Sequence, residues 1–274
     1  MREITMERKY NLPKGYPSSI GGREIEVIAR LSYENTDIIT LEKFREYFGQ
    51  DGDVQLIYQL RKKGILRPIK RGVYWYSPLE AGPYGRGMCN NLIPPIFFPK
   101  KNYYIGYFTE YNTYGFTEQI PQITYVLNTS YQCKKNIDGM CFEFIKVSSN
   151  RMYGLEKRNI FNTEVLFSDK ERTLVDLFYF PDPVGGLRVA FKVLSEQIED
   201  NSIDLDKFIN YAVMFPSKST RKRIGYVLDL AKVPNSKIQL LIESIKNTSL
   251  ITLFGSQSRK GAINNKWRVI IDVA

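Results

Sequence analysis

The clearest hydrophobic pattern in the chain lies in its first quarter. Leu56, Ile57 and Leu60 recur at i, i+1 and i+4, so they fall on one side of a helix. Asp51 or Asp53 is suited to cap its first turn. The polar positions of the segment form the opposite stripe: Gln55, Tyr58, Gln59 and Lys62. The pattern predicts an amphipathic helix whose polar side is available for binding.

A glycine stop and a short hairpin follow this helix. Gly64 stands where a left-handed helix end is expected. Residues 65–69 then read as an extended segment, residues 70–72 as a turn, and residues 73–76 as the returning strand. The turn is basic, so the hairpin presents positive charge at its tip.

Two further helices are predicted before this segment. The first spans residues 22–33, and the second spans residues 41–48 with Thr40 as its cap. Each offers apolar positions to a core: Ile25, Ile28 and Ala29 in the first, and Leu41, Phe44 and Phe48 in the second. Three helices followed by a hairpin is the order of a winged helix-turn-helix. We therefore assign residues 21–80 to such a domain, preceded by an arm over residues 1–20.

Proline and glycine become frequent over residues 81–102, which we interpret as a linker. Residues 103–274 form the second predicted domain. It begins with a helix over residues 103–114, and alternating apolar positions then predict strands over three segments: residues 123–129, 141–147 and 164–167.

The rest of the second domain is predicted to be mainly helical. Ser168 and Glu171 match a capping box for a helix that buries Leu174, Val175 and Phe178. Further helices are expected after Gly186 and over residues 204–214, 219–231 and 235–245, followed by a closing strand over residues 265–272. The fold class is therefore mixed α/β (α+β): a winged helix-turn-helix, then a larger domain with a small sheet and a bundle-like C-terminal part.

Composition and charge narrow the function. Lysine and arginine exceed aspartate and glutamate by 10, which favours an acidic partner such as nucleic acid. The chain contains no histidine, so Ser-His-Asp triads, Cys-His pairs and HExxH zinc sites are excluded. Three cysteines without CxxC spacing indicate free thiols in a reducing compartment. With no apolar leader and no long apolar stretch, we expect a cytoplasmic protein that does not enter a membrane.

The predicted DNA-binding surface joins the polar stripe to the hairpin. Glutamine can pair two ways with adenine, and lysine or arginine can reach guanine or phosphate. No acidic residue occurs between Tyr58 and Tyr76. The predicted contacts are Gln55, Tyr58, Gln59, Lys62, Lys63, Arg67, Lys70 and Arg71.

A second basic cluster is predicted on one helix of the second domain. It consists of Lys218, Arg221, Lys222 and Arg223. Two interpretations stay open at this point: a solvated helix face, or a second surface for nucleic acid or a partner.

Catalytic chemistry is not expected. Asp169, Glu171 and Asp176 are the best carboxylate cluster, but helix capping and an Arg172–Asp176 pair explain them more simply. Glu143 and Lys146 are one residue too far apart for the ExK half of a nuclease motif. We predict no catalytic residues, no bound metal and no cofactor.

Four segments occur in an order that resembles a known family. They are LRKKGILRPIKRGVYWY, YNTYGFTEQIPQITYVLN, FSDKERTLVDLFYFPDPVGG and GAINNKWRVII. Together they resemble the AbiEi antitoxins of the AbiE abortive-infection toxin–antitoxin systems, which act as transcriptional regulators of viral defence. The resemblance covers roughly residues 20–274.

The resemblance implies two roles. The N-terminal domain would bind inverted repeats in its own promoter and repress transcription. The C-terminal domain would counteract a nucleotidyltransferase-like toxin, and members of this family are described as doing so without a tight complex, so the resemblance does not imply direct contact. Two alternatives stay open: a stand-alone winged-helix transcription factor, and a nuclease.

Overall fold

The chain folds into two compact units. The computed structural model describes residues 19–50, 53–81 and 87–272. The first unit contains Met1–Cys89 together with Ile137–Gly139, and the second contains Asn90–Asn136 and Met140–Ala274. The division falls inside the segment 81–102 that the sequence predicts as a linker. Nearly all of the predicted N-terminal arm, and Asp51 as a cap, lie outside the described residues.

Within the described residues, the first unit combines three α-helices with a small antiparallel sheet. The helices are α1 (Gly22–Tyr33), α2 (Leu41–Phe48) and α3 (Asp53–Lys62). The strands are β1 (Ile38–Thr40), β2 (Leu66–Lys70) and β3 (Val73–Tyr76), in the order β1-β3-β2. The helix and hairpin bounds agree with the sequence prediction. The strand β1 was not predicted, because three residues between two helices carry too short a pattern.

A compact hydrophobic core holds these elements together. Phe44 of α2 and Leu60 of α3 are fully buried in it. Of the apolar face predicted for α1, only Ile28 is buried: Ile25 is 55% exposed and Ala29 is also exposed, while Val27 and Leu31 are buried instead. The helix is rotated because Glu24 also turns inward, where its carboxylate accepts the backbone N–H of Gly21 at 2.7 Å.

A mixed sheet forms the first part of the second unit. Its described strands are β4 (Tyr103–Ile105), β5 (Ile123–Asn128), β6 (Cys133–Ile137), β7 (Met140–Lys146), β8 (Leu155–Ile160) and β9 (Thr163–Ser168). Their order is β6-β7-β5-β4-β9-β8. Strand β5 runs parallel to β7, and β4 runs parallel to β9, while β4–β5 and β8–β9 are antiparallel.

The helix predicted over residues 103–114 was wrong. The structure has β4 there, followed by the short helix α5 (Phe108–Thr113), and a preceding helix α4 (Ile93–Phe97) lies inside the predicted linker. All three residues of β4 are buried between β5 and β9. Pairing on both edges of this strand overrides the weak helical pattern of the segment.

Helices dominate the rest of the second unit. They are α6 (Lys170–Tyr179), α7 (Leu187–Glu199), α8 (Leu205–Met214), α9 (Lys218–Leu230) and α10 (Asn235–Ser244). A small sheet follows, made of β10 (Ile251–Thr252), β11 (Gly261–Asn264) and β12 (Val269–Asp272). The positions predicted to be buried in α6 are fully buried. The capping residue was misplaced by one: Asp169 caps α6, and the hydroxyl of Ser168 bonds instead to Thr173.

One close approach fixes the helices against the terminal sheet. The indole of Trp267 is fully buried on Gly225 of α9. A Cβ at position 225 would lie 1.9 Å from the Trp267 ring, so only glycine fits there. Among the described residues, no helix has the length and apolarity needed to cross a lipid bilayer.

Candidate nucleic-acid interface

Helix α3 separates its buried and exposed sides sharply. Leu56, Ile57 and Leu60 pack into the core of the first unit. The opposite side is polar, and its members are exposed except for the half-buried Gln59: Gln55, Tyr58, Gln59 and Lys62. Tyr58 is 55% exposed. The sequence-predicted stripe therefore faces outward, with two amide groups, a phenol and an ammonium group side by side.

An ion pair anchors the start of α3. The carboxylate of Asp53 accepts the guanidinium Nε–H of Arg45 at 2.5 Å and the backbone N–H of Val54 at 2.6 Å. The hydrogen bond from Arg45 is the main reason that the pKa of Asp53 lies below its usual value. Because Arg45 belongs to α2, this pair links α2 to the first turn of α3.

The end of α3 is closed by Gly64 in the left-handed region, with φ +73°. The N–H of Ile65 reaches back to the carbonyl oxygen of Leu60 at 3.0 Å, which is the Schellman closure. The sequence predicts both the end of the helix and its cause correctly, because few residues other than glycine adopt this backbone conformation without strain.

Lys63 lies just past the end of α3 and is tied into the fold. Its ammonium group forms an ion pair with Glu24 of α1, and the two side chains are 20% and 7% exposed. Burial alone would raise the pKa of Glu24, but the hydrogen bonds from Lys63 and Gly21 hold it below its usual value. Lys63 was predicted to contact DNA; the structure places it as a bridge between α3 and α1.

The hairpin presents its turn beside α2. Gly72 adopts φ +74°, and its carbonyl oxygen accepts the N–H of Leu41 at 2.7 Å. Arg71 is exposed at the tip, and Lys70 is half-buried. Arg67 forms an ion pair with Asp138 at 2.9 Å, within the first unit, and is 23% exposed. Of the three basic residues predicted for the hairpin, Arg71 is therefore the most accessible.

A shallow groove of about 320 Å³ lies between α3 and β2. Tyr58, Arg61, Lys62 and Pro68 line it. Arg61 was not among the predicted contacts, because it falls beside the polar stripe rather than on it. Its exposed position next to Lys62 could have been inferred from its spacing, because it follows the exposed Tyr58 by three residues and so lies near the same face of the helix.

The second basic cluster serves mainly the fold. Lys222 is 1% exposed and donates to the carbonyl oxygen of Ser249. Arg221 donates to the carbonyl oxygen of Phe215 at 2.6 Å, and Arg223 donates to that of Leu253 at 2.9 Å. Lys218 is exposed. Three of the four predicted surface cations therefore bond to backbone carbonyls of neighbouring segments.

The carboxylates considered for catalysis are engaged in ion pairs. Asp169 and Glu171 both bind the ammonium group of Lys207, at 3.1 and 2.8 Å. Asp176 is fully buried beside Arg172 at 3.2 Å, the pair expected from the sequence. Within residues 19–50, 53–81 and 87–272, no three histidine, cysteine or acidic side chains are arranged to hold a metal ion.

Comparison with known proteins gives one informative likeness. No family model matches the chain, and no curated protein matches it. The fold is similar to the crystal structure of the RV2827C protein from Mycobacterium tuberculosis, with a TM-score of 0.66 at 15% sequence identity. The match covers 94% of each chain. The two proteins therefore share a mixed α+β fold along nearly their whole length.

Proposed function

We propose that the first unit is a winged helix-turn-helix that binds double-stranded DNA. The observation that carries the proposal is the outward polar side of α3, where Gln55, Tyr58 and Lys62 are exposed while the opposite side is buried. The major groove is wide enough for one helix, and amide and ammonium groups match the hydrogen-bonding pattern of base edges.

The order of elements supports this assignment. Three helices are followed by the β2–β3 hairpin, and β1 completes the small sheet by pairing with β3. In this geometry α3 reads the groove, and the exposed Arg71 at the hairpin tip meets the phosphate backbone.

The number of exposed cations determines the electrostatic contribution to DNA binding. Six basic residues between Tyr58 and Tyr76 would together give a slope of log K against log salt of about −5. The ion pairs of Lys63 and Arg67 reduce the expected number of phosphate contacts. With Arg61, Lys62 and Arg71 in contact, we expect a slope of about −3.

The decisive experiment is a titration of the protein's own upstream DNA at several salt concentrations, preceded by footprinting. The variant Arg61→Ala/Lys62→Ala should flatten the slope by about 2, since each phosphate contact contributes about 0.9. The matched control is Arg30→Ala/Lys43→Ala, which removes the same charge from α1 and α2 of the same unit. Equal slopes for the two double variants would overturn the proposed surface.

Base recognition is measured by sequence discrimination, separately from the salt slope that reports phosphate contacts. Replacing Gln55 by alanine should leave the salt slope unchanged and reduce discrimination between the operator and a single-substituted site by about 1–3 kcal/mol. Lost affinity with unchanged discrimination would place Gln55 outside the base-reading set.

We further propose that the chain is an autorepressor and antitoxin that counteracts a nucleotidyltransferase-like toxin. The support is the ordered set of segments that resemble the AbiEi antitoxins, three of which lie in the second unit. Co-expression of this chain with the toxin encoded next to its gene should restore the growth that the toxin alone inhibits. The DNA-binding variant Arg61→Ala/Lys62→Ala should restore growth equally when both genes have an unrelated promoter. Failure of the unaltered chain to restore growth would refute the antitoxin role and favour the alternative of a stand-alone transcription factor.

A further inference from the structure

Two buried arginines share a single carboxylate in the second unit. Arg151 and Arg172 approach the same oxygen of Asp176, at 3.0 and 3.2 Å. The side chains of Arg172 and Asp176 are fully buried, and that of Arg151 is 8% exposed. Two cations against one anion leave an excess positive charge inside the protein, where an unbalanced charge is costly.

Among the described residues, no second carboxylate forms an ion pair with either arginine. Burial raises the pKa of Tyr104 to about 12, and it raises the pKa of Tyr107 further, so both phenols stay neutral at physiological pH. Asp169 and Glu171, at the start of α6, share the single ammonium group of Lys207, which leaves one negative charge there, but neither carboxylate forms an ion pair with Arg151 or Arg172. Aromatic rings stabilise the guanidinium of Arg151 in part: it lies 4.7 Å from the ring of Tyr179 and 4.9 Å from that of Phe215.

Arg151 also lines an open pocket of about 370 Å³. Other residues of the lining are Lys146, Ser148, Tyr179, Phe215 and Ser217, and no acidic side chain is among them. The Nε–H of Arg151 is buried and has no hydrogen-bond partner within the part of the chain that the structure describes. One wall of the pocket thus holds a cation whose side chain is only 8% exposed, while its Nε–H is closed off from solvent.

The opposite wall is the beginning of α9. Ser217 caps this 13-residue helix by accepting the N–H of Thr220 at 3.3 Å. The positive end of the helix dipole therefore lies at the pocket, beside the exposed ammonium group of Lys146 at the end of β7. A buried guanidinium, a lysine, two serine hydroxyls and a helix N-terminus surround one space.

We propose that this pocket binds the phosphate group of a small molecule. The phosphate supplies the negative charge that the Arg151–Arg172–Asp176 cluster lacks, and its oxygens accept from Arg151, Lys146 and the hydroxyl group of Ser217. Tyr179, which is 47% exposed, offers a ring on which a planar group of the same molecule stacks. The site is independent of the DNA-binding surface and of the antitoxin role.

Calorimetric titration of the full-length protein at low ionic strength tests the proposal. The probes are inorganic phosphate, adenosine 5′-monophosphate and adenosine without phosphate. Both phosphate-bearing probes should bind at one site, and adenosine should bind at least tenfold more weakly than its monophosphate. A nucleotide that binds more tightly than inorganic phosphate identifies a nucleotide-like ligand, and equal affinities identify recognition of the phosphate group alone. Absence of binding by both phosphate probes, or equal binding of adenosine and its monophosphate, would overturn the proposal.

Variants at the pocket rim keep the test independent of the buried cluster. Lys146→Ala/Ser217→Ala should weaken phosphate binding at least tenfold. The control Lys192→Ala removes an exposed lysine of α7, whose side chain is 76% exposed, and should change binding less than twofold. The same loss in both variants would refute the site.

Arg151→Met tests the charge argument directly. It leaves Arg172 and Asp176 as a one-to-one pair, so the protein should fold and its melting temperature should no longer rise with added phosphate. A phosphate-dependent rise equal to that of the unaltered protein would contradict the proposal. If Arg151→Met does not fold, the Lys146→Ala/Ser217→Ala variant and its Lys192→Ala control test the proposal instead.

Discussion

Helices α3 and α9 share one sequence pattern, but their basic residues have different surroundings in the structure. Both α3 and α9 combine an apolar side with several basic residues. In α3 the basic and polar side is exposed, and Arg61 and Lys62 lie along a groove. In α9, Lys222 is buried and Arg223 bonds to the backbone of Leu253, directly after β10 of the terminal sheet. Basic residues mark a binding surface only where the fold leaves their side of the helix uncovered.

The number of packed neighbours explains the difference. Helix α3 packs on one side, against α1, α2 and β2. Helix α9 contacts α6, α7, α8 and α10, so little of its circumference stays open. A cation on such a helix must find carbonyl or carboxylate partners, because leaving it unpaired inside the protein is costly.

The largest effect should come from the buried charge cluster. Asp176→Ala leaves Arg151 and Arg172 without their shared carboxylate and should lower the free energy of unfolding by about 3–5 kcal/mol. Its matched control is Glu34→Ala, which breaks the exposed i,i+4 pair between Arg30 and Glu34 and should cost at most about 0.5 kcal/mol. Urea denaturation measures both. Similar small losses would mean that burial does not distinguish the two pairs.

A smaller effect is expected within α9 itself. Lys222→Ala empties a buried volume and leaves the Ser249 carbonyl oxygen without its donor, so we expect a loss of about 2–3 kcal/mol. Lys218→Ala, on the exposed side of the same helix, should change stability by less than about 0.5 kcal/mol. Equal losses at the two positions would show that the basic residues of α9 are surface residues like those of α3.

The two units should also differ in their response to pH. Burial raises the pKa of Glu110 in α5 from 4.5 to about 7, although Arg158 lies 2.8 Å away. Between these values the folded state holds more protons than the unfolded state, so stability falls as pH rises from about 4.5 to about 7. The pKa of Glu24 in the first unit is lowered instead, so its contribution is present above 4.5 and is lost as pH falls.

Urea denaturation at pH 5 and pH 7.5 measures this contrast. We expect the second unit to lose on the order of 2 kcal/mol over this interval, and Glu110→Gln to abolish the loss. An unchanged pH dependence in Glu110→Gln would assign the effect to another group.

The smallest expected effects distinguish two cations in and beside α3. Lys63→Ala should cost about 1 kcal/mol of stability, because it removes the partner of Glu24, while the salt slope of DNA binding stays the same. Arg61→Ala should do the opposite: stability unchanged, and the slope flatter by about 0.9. A flatter slope for Lys63→Ala would return that residue to the predicted DNA contacts.

The sequence by itself determined the three helices and the hairpin of the first unit. The 3.6-residue spacing of Leu56 and Leu60, the Thr40 cap and the Gly64 stop are local signals, and the structure places all three as predicted. The helices from α6 to α10 were also found from local spacing and from Pro and Gly breaks. Local patterns suffice to locate an element when its apolar spacing and its cap or break residues lie within or directly beside the element itself.

Tertiary structure decided what depends on residues far apart in the chain. Residues 103–105 became a strand because β5 and β9 lie on either side of them, and Lys63 became an ion-pair partner because α1 brings Glu24 to it. The pairing of Arg151 with Asp176 joins positions 25 apart and holds Arg151 at the proposed phosphate pocket. Packing between distant segments decides which side of a helix stays exposed and which charged side chains meet in the interior. The spacing of residues within one element does not predict either.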